Sequence, residues 1–295
     1  PRNNFSTERQ GKNTAACIGL AALEVVRRDR DATMVVLAAD HWVRDRGAFR
    51  RALHSAIGLA MQLDRLVTIG ISPEYPETGY GYIMKGKPVD GRTPARSSVV
   101  KRFTEKPNLS AARQLVRRHG LWNSGIFVWK AATLLRLLGR YQPAISQGLE
   151  TIKRAAAGKS LAGAAPKLRS VIAREYGRLP NLSIDYAVME PAGSEGNVLT
   201  LEADFGWSDV GSWAAVHRMM HKDGNGNAGH GRWLGVGTKT SLIHAPDRLV
   251  VLLGMENTVV IDTPDALLVG DLSRSQEVRD IVDELNRKGL GAYTD

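Results

Sequence analysis

The feature that most constrains the fold is an alternation of helical and extended segments near the start of the chain. Apolar residues recur at helical spacing over residues 14–26, and a continuous β-leaning apolar run follows at 34–39. The order repeats with a helical pattern at 47–63 and an apolar run at 65–71. Such alternation is typical of α/β folds with parallel pairing and right-handed crossovers. We therefore predict a mixed, mostly parallel sheet flanked by helices.

The rest of the chain predicts a looser continuation and then a small region of short strands. The predicted strands lie at 80–85, 99–104 and 125–129, and the predicted helices at 110–119, capped by Ser110, at 131–138 and within 144–174. After a glycine- and asparagine-rich loop at 223–227, short strands at 241–244, 248–253, 258–262 and 266–269 precede a final helix at 273–288. We predict a main domain at 1–222 and a β-rich C-terminal appendage at 223–295, without an internal repeat.

Composition narrows the classes of protein that remain. No apolar run approaches the ~20 residues of a membrane helix, and 295 residues with 43% hydrophobic content can bury a large core. Cys17 is the single cysteine, so no intrachain disulfide can form and a reducing cytoplasm is expected. The net charge of +10 is spread over separate segments such as Arg27-Arg28 and Arg117-Arg118. Because no basic tail or basic helix concentrates this charge, the charge favours small phosphorylated substrates as partners over nucleic acid or a membrane.

Two carboxylates at the ends of apolar runs form a candidate metal site. Asp40 follows the strand predicted at 34–39, and Asp209 lies in the distant segment 203–213. Ligands of open α/β sheets bind beyond the carboxyl ends of strands, where Asp40 falls. Hard oxygen ligands suit Mg²⁺, and Mg²⁺ suits phosphate chemistry. Taken alone, each Asp is also explained as a helix cap or turn residue.

Two further segments offer groups that suit a sugar phosphate. Gly79 and Tyr80 lie at a strand entrance where backbone can approach a ligand closely, although a β-bulge or turn gives the same pattern. Glu105 has the chemistry to accept hydrogen bonds from sugar hydroxyls, and Lys106 the charge to hold a phosphate. An exposed ion pair explains Glu105 and Lys106 equally well.

Asn123 and Asp185 are weaker candidates for binding residues when each is considered alone. Asn123, two residues before Gly125, supplies an amide donor and acceptor between two tryptophans, which are more often core residues. Asp185 follows Ser183 at a predicted helix start, where a carboxylate also favours the helix dipole. No histidine or cysteine pattern with metal-ligand spacing accompanies them.

In this order, the segments resemble the mannose-1-phosphate guanylyltransferases of the sugar-nucleotide pyrophosphorylase superfamily. The likeness runs from about Gly11 to Gly289, with Ala16 where the family usually has proline. The matching segments are Gly11-Lys12-Asn13-Thr14-Ala15-Ala16, Leu37-Ala38-Ala39-Asp40-His41, Glu77-Thr78-Gly79-Tyr80-Gly81-Tyr82-Ile83, Phe103-Thr104-Glu105-Lys106-Pro107, Trp122-Asn123-Ser124-Gly125, Ser183-Ile184-Asp185-Tyr186 and Phe205-Gly206-Trp207-Ser208-Asp209-Val210-Gly211-Ser212-Trp213.

The resemblance implies a Rossmann-like nucleotide-diphospho-sugar transferase fold and a reaction. Mannose 1-phosphate would attack the α-phosphorus of GTP in line, giving GDP-mannose and pyrophosphate. Asp40 and Asp209 would hold Mg²⁺, and Lys106 would restrain the attacking phosphate, because such transfers need positioning and charge neutralisation. The sugar side would comprise Gly79, Tyr80, Glu105, Asn123, Gly125 and Asp185. Lys12, Asn13 and Thr14 would lie near the guanine.

One departure from the family concerns the start of the chain. Family members begin with a strand and a glycine-rich loop that grips the triphosphate, and residues 1–10 contain nothing similar. We expect an N-terminally incomplete nucleotidyltransferase domain and little or no activity of this chain alone, because one lost donor can cost ~10²- to 10³-fold in rate. A pyrophosphorylase for another sugar 1-phosphate and a non-catalytic nucleotide-sugar-binding member stay open. It also stays open whether the protein forms a homodimer and whether an isomerase domain follows.

Overall fold

The chain divides into two compact units in a computed structural model that describes residues 10–89 and 96–294. The first unit holds residues 1–39 and 43–207, and the second holds residues 40–42 and 208–295. The second unit begins before residue 223, the start expected for the appendage, because helix α8 (Trp213–Met219) packs on the C-terminal sheet through Ala214 and Val216. The expectation about the start of the chain concerns residues 1–10, and residues 1–9 lie outside the described residues.

The first unit begins with alternating helices and strands, as the sequence pattern predicts. Its helices are α1 (Asn13–Arg28), α2 (Arg46–Leu63), α3 (Leu109–Arg117), α4 (Ala131–Tyr141), α5 (Pro143–Ala156), α6 (Pro166–Gly177) and α7 (Glu190–Ser194). Its main strands are β1 (Thr33–Val36), β3 (Leu66–Ile71), β4 (Tyr82–Pro88), β5 (Ser97–Thr104), β6 (Leu121–Lys130) and β7 (Val198–Ala203). Two short strands, β2 (Trp42–Val43) and β8 (Trp207–Ser208), pair separately.

The described strands of the first unit form one mixed sheet in the order β1-β6-β3-β7-β5-β4. Strands β3 and β7 pair in parallel, whereas every other described ladder of this sheet is antiparallel. The α/β architecture is confirmed, but the expected predominance of parallel pairing is wrong. Strands β1 and β3 do run in the same direction, yet β6 lies between them and pairs antiparallel with both.

Helices cover both faces of this sheet. On one face α1, α4 and α5 share a core with the strands, in which Leu134 and Leu149 are buried. On the other face α2 buries Leu59 in a second core. Leu66 belongs to the first core and Val67 to the second, because neighbouring strand residues point to opposite faces. Burial on both faces explains why β3 reads as a continuous apolar run.

Two predicted helix starts have different outcomes. Helix α3 is capped by Asn108, whose Oδ1 accepts the Ala111 N–H at 2.9 Å, so the expectation that Ser110 caps it is wrong. Asn is a strong N-cap residue, and Ser110 lies inside the first turn. Ser183 does cap the later segment, since its Oγ accepts the Tyr186 N–H at 3.4 Å. That segment begins as a π-helical stretch, Asp185–Met189, a form often found at functional sites.

The second unit is built on a four-stranded sheet in the order β12-β11-β10-β9. These strands are β9 (Ala228–Val236), β10 (Leu242–Leu253), β11 (Thr258–Asp262) and β12 (Leu267–Asp271), and helix α9 (Val278–Arg287) follows them. Strands β9, β10 and β11 pair in parallel, and β12 pairs antiparallel with β11. Throughout residues 10–89 and 96–294, no helix combines the length and apolarity needed to cross a membrane.

The second unit contains a structural repeat, so the expectation of no internal repeat is wrong. The Ser241 Oγ accepts the Thr258 N–H at 3.2 Å, from a residue 17 positions further on. Gly237 and Gly254, separated by the same interval, adopt left-handed φ values of 61° and 65° at equivalent turns. Successive parallel strands joined by equivalent turns stack like the coils of a solenoid. Side chains differ at most equivalent positions, so the repeat is hard to recognise in the sequence.

Candidate functional site

A carboxylate outside the predicted site set holds the glycine turn before β4. Glu77 Oε1 accepts the N–H groups of Thr78 at 2.9 Å and Gly79 at 3.0 Å. The Glu77 carbonyl accepts the Tyr82 hydroxyl at 2.8 Å. The backbone of the turn is therefore fixed at both ends, and Gly79 is half-buried within it.

The Tyr80 ring anchors this turn in the core. Only 6% of Tyr80 is exposed. Its ring meets the rings of Trp122 and Trp207 edge-on, with centroids 5.2 Å apart in both pairs. Trp122 in turn donates its Nε1–H to the Tyr82 hydroxyl at 3.1 Å. The predicted site residue Tyr80 thus contributes its ring to packing.

A distortion of β6 directs Asn123 towards Asp185. The register between β3 and β6 shifts here, and Gly125 adopts a left-handed φ of 68°. The Asn123 Oδ1 accepts the Thr68 hydroxyl at 3.1 Å and the Gly125 N–H at 3.3 Å. The Asn123 Nδ2 donates to the Asp185 Oδ1 at 2.9 Å. Because the amide oxygen is already occupied as an acceptor, the amide is held with its donor facing the carboxylate.

Glu105 lies after β5 with its carboxylate against the backbone of Gly81. A Cβ atom on Gly81 would overlap the Glu105 Oε2. Burial first, and then the neighbouring Asp185, raises the pKa of Glu105 to about 7, although Lys106 acts to lower it. Burial also raises the pKa of Asp185. At neutral pH a proton is therefore available on Glu105, so this carboxyl group can donate as well as accept hydrogen bonds.

Lys106 supplies the positive charge beside these acids. It is exposed, with a left-handed φ of 43°, and its charge favours the ionised forms of both Glu105 and Asp185. The structure thus brings together Glu105, Lys106, Asn123 and Asp185, which we call the Glu105 cluster. Glu190 adjoins it by accepting the Glu105 backbone N–H.

The predicted segment at the start of α1 is tied to the stretch that leads into Asp185. Asn13 begins the helix with a φ of 61°, and its Oδ1 accepts the Thr14 N–H at 2.8 Å. The Thr14 Oγ1 accepts the Ile184 N–H at 2.8 Å. Lys12 is half-buried just before the helix, whereas Asn13 and Thr14 are exposed. Thr14 thereby links the segment expected near the nucleotide base with the one expected near the sugar.

In the second unit, the two predicted metal ligands flank one histidine. Burial lowers the pKa of His41, while the charges of Asp40 and Asp209 act to raise it. The Asp209 Oδ1 accepts the Gly211 N–H at 2.9 Å, and a Cβ on Gly211 would lie 2.6 Å from the Asp209 Oδ2. Asp40 is exposed. The structure therefore places both carboxylates within electrostatic range of His41 and fixes the orientation of Asp209.

The donor chemistry of this pair fits Mg²⁺. Two carboxylates supply hard oxygen ligands, and Mg²⁺ commonly takes one or two carboxylates with water and substrate phosphates completing its shell. Within the described ranges, no group of three or more His, Cys, Asp or Glu side chains is arranged to hold a metal ion. Asp40 and Asp209 thus suit a shared, partly hydrated ion better than an all-protein cage.

Some residues that hold the predicted site residues in place are not themselves predicted from the sequence. Glu77, Thr68 and Glu190 each bond to the backbone or side chain of a predicted site residue. No spacing rule marks Thr68, which lies inside a buried strand. Glu77 could have been predicted, because a carboxylate two residues before a glycine often accepts backbone N–H groups of a turn.

The mixed sheet with helices on both faces places the first unit in the α/β class. The model of the nucleotidyl transferase family matches residues 1–226, so the chain belongs to that family. Residues 231–285 match the MannoseP isomerase/GMP-like beta-helix domain, in agreement with the parallel strands of the second unit. The fold expected from the sequence is confirmed at this level.

Named relatives agree with the predicted resemblance. The chain is 37% identical over 291 residues to mannose-1-phosphate guanylyltransferase of Escherichia coli K12, covering 97% of this chain and 58% of the relative. It is 38% identical over 288 residues to xanthan biosynthesis protein XanB of Xanthomonas campestris pv. campestris strain B100, with the same coverage. The chain thus spans less than two thirds of these curated relatives, and the resemblance to mannose-1-phosphate guanylyltransferases is confirmed.

Solved structures agree with this result. A structure described as mannose-1-phosphate geranyltransferase from Thermus thermophilus has a TM-score of 0.80 and 32% identity, covering 95% of this chain and 77% of that one. A mannose-6-phosphate isomerase from Helicobacter pylori has a TM-score of 0.53 and 30% identity, covering 68% of this chain and 72% of that one.

Proposed function

We propose that this protein forms GDP-mannose and pyrophosphate from GTP and mannose 1-phosphate. The observation that carries the proposal is the Glu105 cluster, in which two acids, a fixed amide and an exposed lysine adjoin a glycine turn. Relatives with the name of this activity share 37% identity or more with the chain. Other sugar 1-phosphates remain the competing substrates, and a non-catalytic binding protein the competing class.

The residues of the cluster have distinct roles in this proposal. Asp185, held by the Asn123 amide, accepts hydrogen bonds from sugar hydroxyls. Glu105 accepts or donates such bonds according to its protonation, because the pKa of this group is about 7. Lys106 neutralises and restrains the phosphate of the sugar, as a flexible point charge. Gly79 and Gly125 supply backbone that a ligand can approach closely.

The nucleotide side rests on two other sets of residues. Lys12, Asn13 and Thr14 at the start of α1 contact the base of GTP in this proposal. Asp40 and Asp209 would hold Mg²⁺, which would neutralise phosphate charge when bound. The Asp209–Gly211 hydrogen bond keeps that carboxylate oriented for the ion.

The proposal includes a cellular setting and excludes two kinds of partner. A nucleoside triphosphate substrate and a single cysteine fit the cytoplasm. Neither nucleic acid nor a membrane is a proposed partner, because the basic residues are dispersed.

A comparison of GDP-mannose with GDP tests the sugar assignment. We expect Glu105→Ala to weaken GDP-mannose binding by about tenfold or more, the cost of one or two hydrogen bonds to a charged group. The affinity for GDP should be unchanged. Glu150→Ala, on the exposed surface of α5, is the matched control.

Ligand selectivity and turnover then separate the alternatives. GDP-mannose should bind more tightly than UDP-glucose or GDP-glucose, and a reversed preference would refute the sugar assigned here. Formation of GDP-mannose from GTP and mannose 1-phosphate would support the reaction itself, whereas saturable GDP-mannose binding without turnover would favour a non-catalytic binding protein.

A further inference from the structure

One hydrogen bond of the candidate site comes from a residue that a ligand cannot reach. Thr68 lies in the middle of β3 and is 0% exposed. Its hydroxyl nevertheless donates to the Asn123 Oδ1 at 3.1 Å. Breaking this bond would leave a buried hydroxyl without an acceptor, which costs free energy. The bond therefore constrains the Asn123 side chain from the interior of the sheet.

The β3–β6 ladder is interrupted beside Asn123, so side chains take over part of its role. The register shifts between Thr68 and Gly70. Thr68 holds Asn123 at this point, and the Ser124 Oγ donates to the Ile69 carbonyl at 2.7 Å. Ser124 is itself 1% exposed. Two neighbouring residues of β6 are thus bonded through side chains to two neighbouring residues of β3.

The hydrogen bonds that start at Thr68 run in one direction towards Asp185. The Thr68 hydroxyl donates to the Asn123 Oδ1, and the Asn123 Nδ2 donates to the Asp185 Oδ1 at 2.9 Å. An amide carries its acceptor on one side and its donors on the other, so a donor at the oxygen opposes a flip of the group. The Gly125 N–H, at 3.3 Å from the same oxygen, acts in the same sense. The other lone pairs of the Asp185 carboxylate are left to accept from a hydroxyl group.

A second buried threonine lacks this bond and gives a direct comparison. Thr200 of β7 pairs in register with Thr68 and is also 0% exposed. Its Oγ1 is buried and has no hydrogen-bond partner among the residues that the structure describes. In-register residues of adjacent strands project on the same side of a sheet. Thr68 and Thr200 therefore share residue type, burial and sheet face, and they differ in the bond to Asn123.

We propose that Thr68 is a positioning residue for sugar recognition. It keeps the Asn123 amide in the orientation that presents the Asp185 carboxylate to a sugar hydroxyl, and it acts through Asn123 without touching the substrate. A site built to bond a hydroxyl rejects ligands that lack one, so Thr68 contributes to selectivity. The inference rests on the proposed function, because it takes the Glu105 cluster as the sugar side of the site.

Calorimetric titration with GDP-mannose and with GDP tests this role. Thr68→Val replaces the hydroxyl by a methyl group of similar shape and should weaken GDP-mannose binding about fivefold, as expected for one neutral hydrogen bond. GDP lacks the sugar and should bind with wild-type affinity. Thr68→Ser keeps a hydroxyl donor and should retain the wild-type affinity for GDP-mannose. Thr200→Val is the matched control and should weaken the binding of neither ligand.

A double-mutant cycle shows whether Thr68 acts through Asn123. Asn123→Ala should weaken GDP-mannose binding, and adding Thr68→Val to that variant should weaken it no further. Equal losses from Thr68→Val in the presence and absence of Asn123 would overturn the proposal. So would a Thr68→Val variant that binds GDP-mannose as tightly as wild type, or one that loses affinity for GDP to the same extent.

Hydrogen exchange in the ligand-free protein gives a readout that does not depend on the reaction. The side-chain amide protons of Asn123, followed by NMR, should exchange faster in Thr68→Val than in wild type, because the amide is held less firmly. Exchange in Thr200→Val should match wild type. Unchanged exchange in Thr68→Val would overturn the positioning role. A wild-type chain that binds no GDP-mannose would instead refute the proposed function, and with it the sugar role of Thr68, even where exchange changes as expected.

Discussion

Replacing Glu105 by Gln is expected to change how the stability of the protein depends on pH. Burial first, then Asp185, raises the pKa of Glu105 from 4.5 to about 7. A carboxyl group with a raised folded-state pKa binds its proton more tightly in the folded protein than in the unfolded chain. Its contribution to stability therefore falls as pH rises from about 4.5 to about 7 and stays low above that. Glutamine carries no charge, so the Glu105→Gln variant does not lose this stability as the pH rises.

The size of the effect follows from the pKa difference. At about 1.36 kcal/mol per pKa unit, a rise from 4.5 to about 7 corresponds to roughly 3 kcal/mol. Relaxation of a half-buried carboxylate towards solvent reduces this value, so we expect about 2 kcal/mol. Glu105→Gln should thus gain about 2 kcal/mol relative to wild type between pH 4.5 and pH 8.

Urea unfolding at pH 4.5, 6, 7 and 8 measures this difference directly. The free energy of unfolding of Glu105→Gln minus that of wild type should rise with pH and level off above about pH 7. Glu150→Gln, at an exposed position of α5, controls for the loss of one negative charge and should give a nearly constant difference. A constant difference for Glu105→Gln as well would show that the Glu105 carboxylate is not held in a poorly solvated position, and would refute the argument.

Three other substitutions test separate parts of the structure. Gly81→Ala should displace the Glu105 carboxylate and weaken GDP-mannose binding by about tenfold, at a stability cost below about 2 kcal/mol in urea unfolding. Burial acts to raise the pKa of Glu24, yet hydrogen bonds lower it to about 2, so Glu24→Gln should lose about 2 kcal/mol at pH 7 and progressively less from pH 4.5 to pH 2. The Arg248 guanidinium holds the pKa of Asp262 below its usual value, so Arg248→Ala should lower the midpoint of thermal unfolding at neutral pH.

Local patterns predict the elements of the fold well but not their neighbours in the sheet. The helices at 14–26 and 47–63 and the strand at 65–71 appear almost as expected, because their apolar spacing reflects burial directly. Strand order depends on contacts between distant segments. The insertion of β6 between β1 and β3 pairs residues about 60 to 100 positions apart, as in Val67↔Val128 and Thr33↔Lys130, and no local pattern encodes it.

For the candidate site, too, the residues could be predicted from the sequence, but their contacts could not. The family resemblance predicts Glu105, Asn123 and Asp185 on the sugar side, and the structure brings these three residues together. The hydrogen bond from Thr68 to Asn123 joins residues 55 positions apart, so it becomes visible only once the chain is folded. Tyr80 shows the converse, because an aromatic residue beside a glycine turn reads equally as a ligand contact or as core.

Calorimetric titration with GDP-mannose, with and without Mg²⁺, tests the central claim most directly. We expect saturable binding by the wild-type chain that is at least about tenfold tighter with Mg²⁺, and loss of that enhancement in the Asp40→Ala/Asp209→Ala double variant. A folded wild-type chain that binds no GDP-mannose would contradict the account. Binding that is equally tight in the double variant would contradict the assignment of the metal ligands.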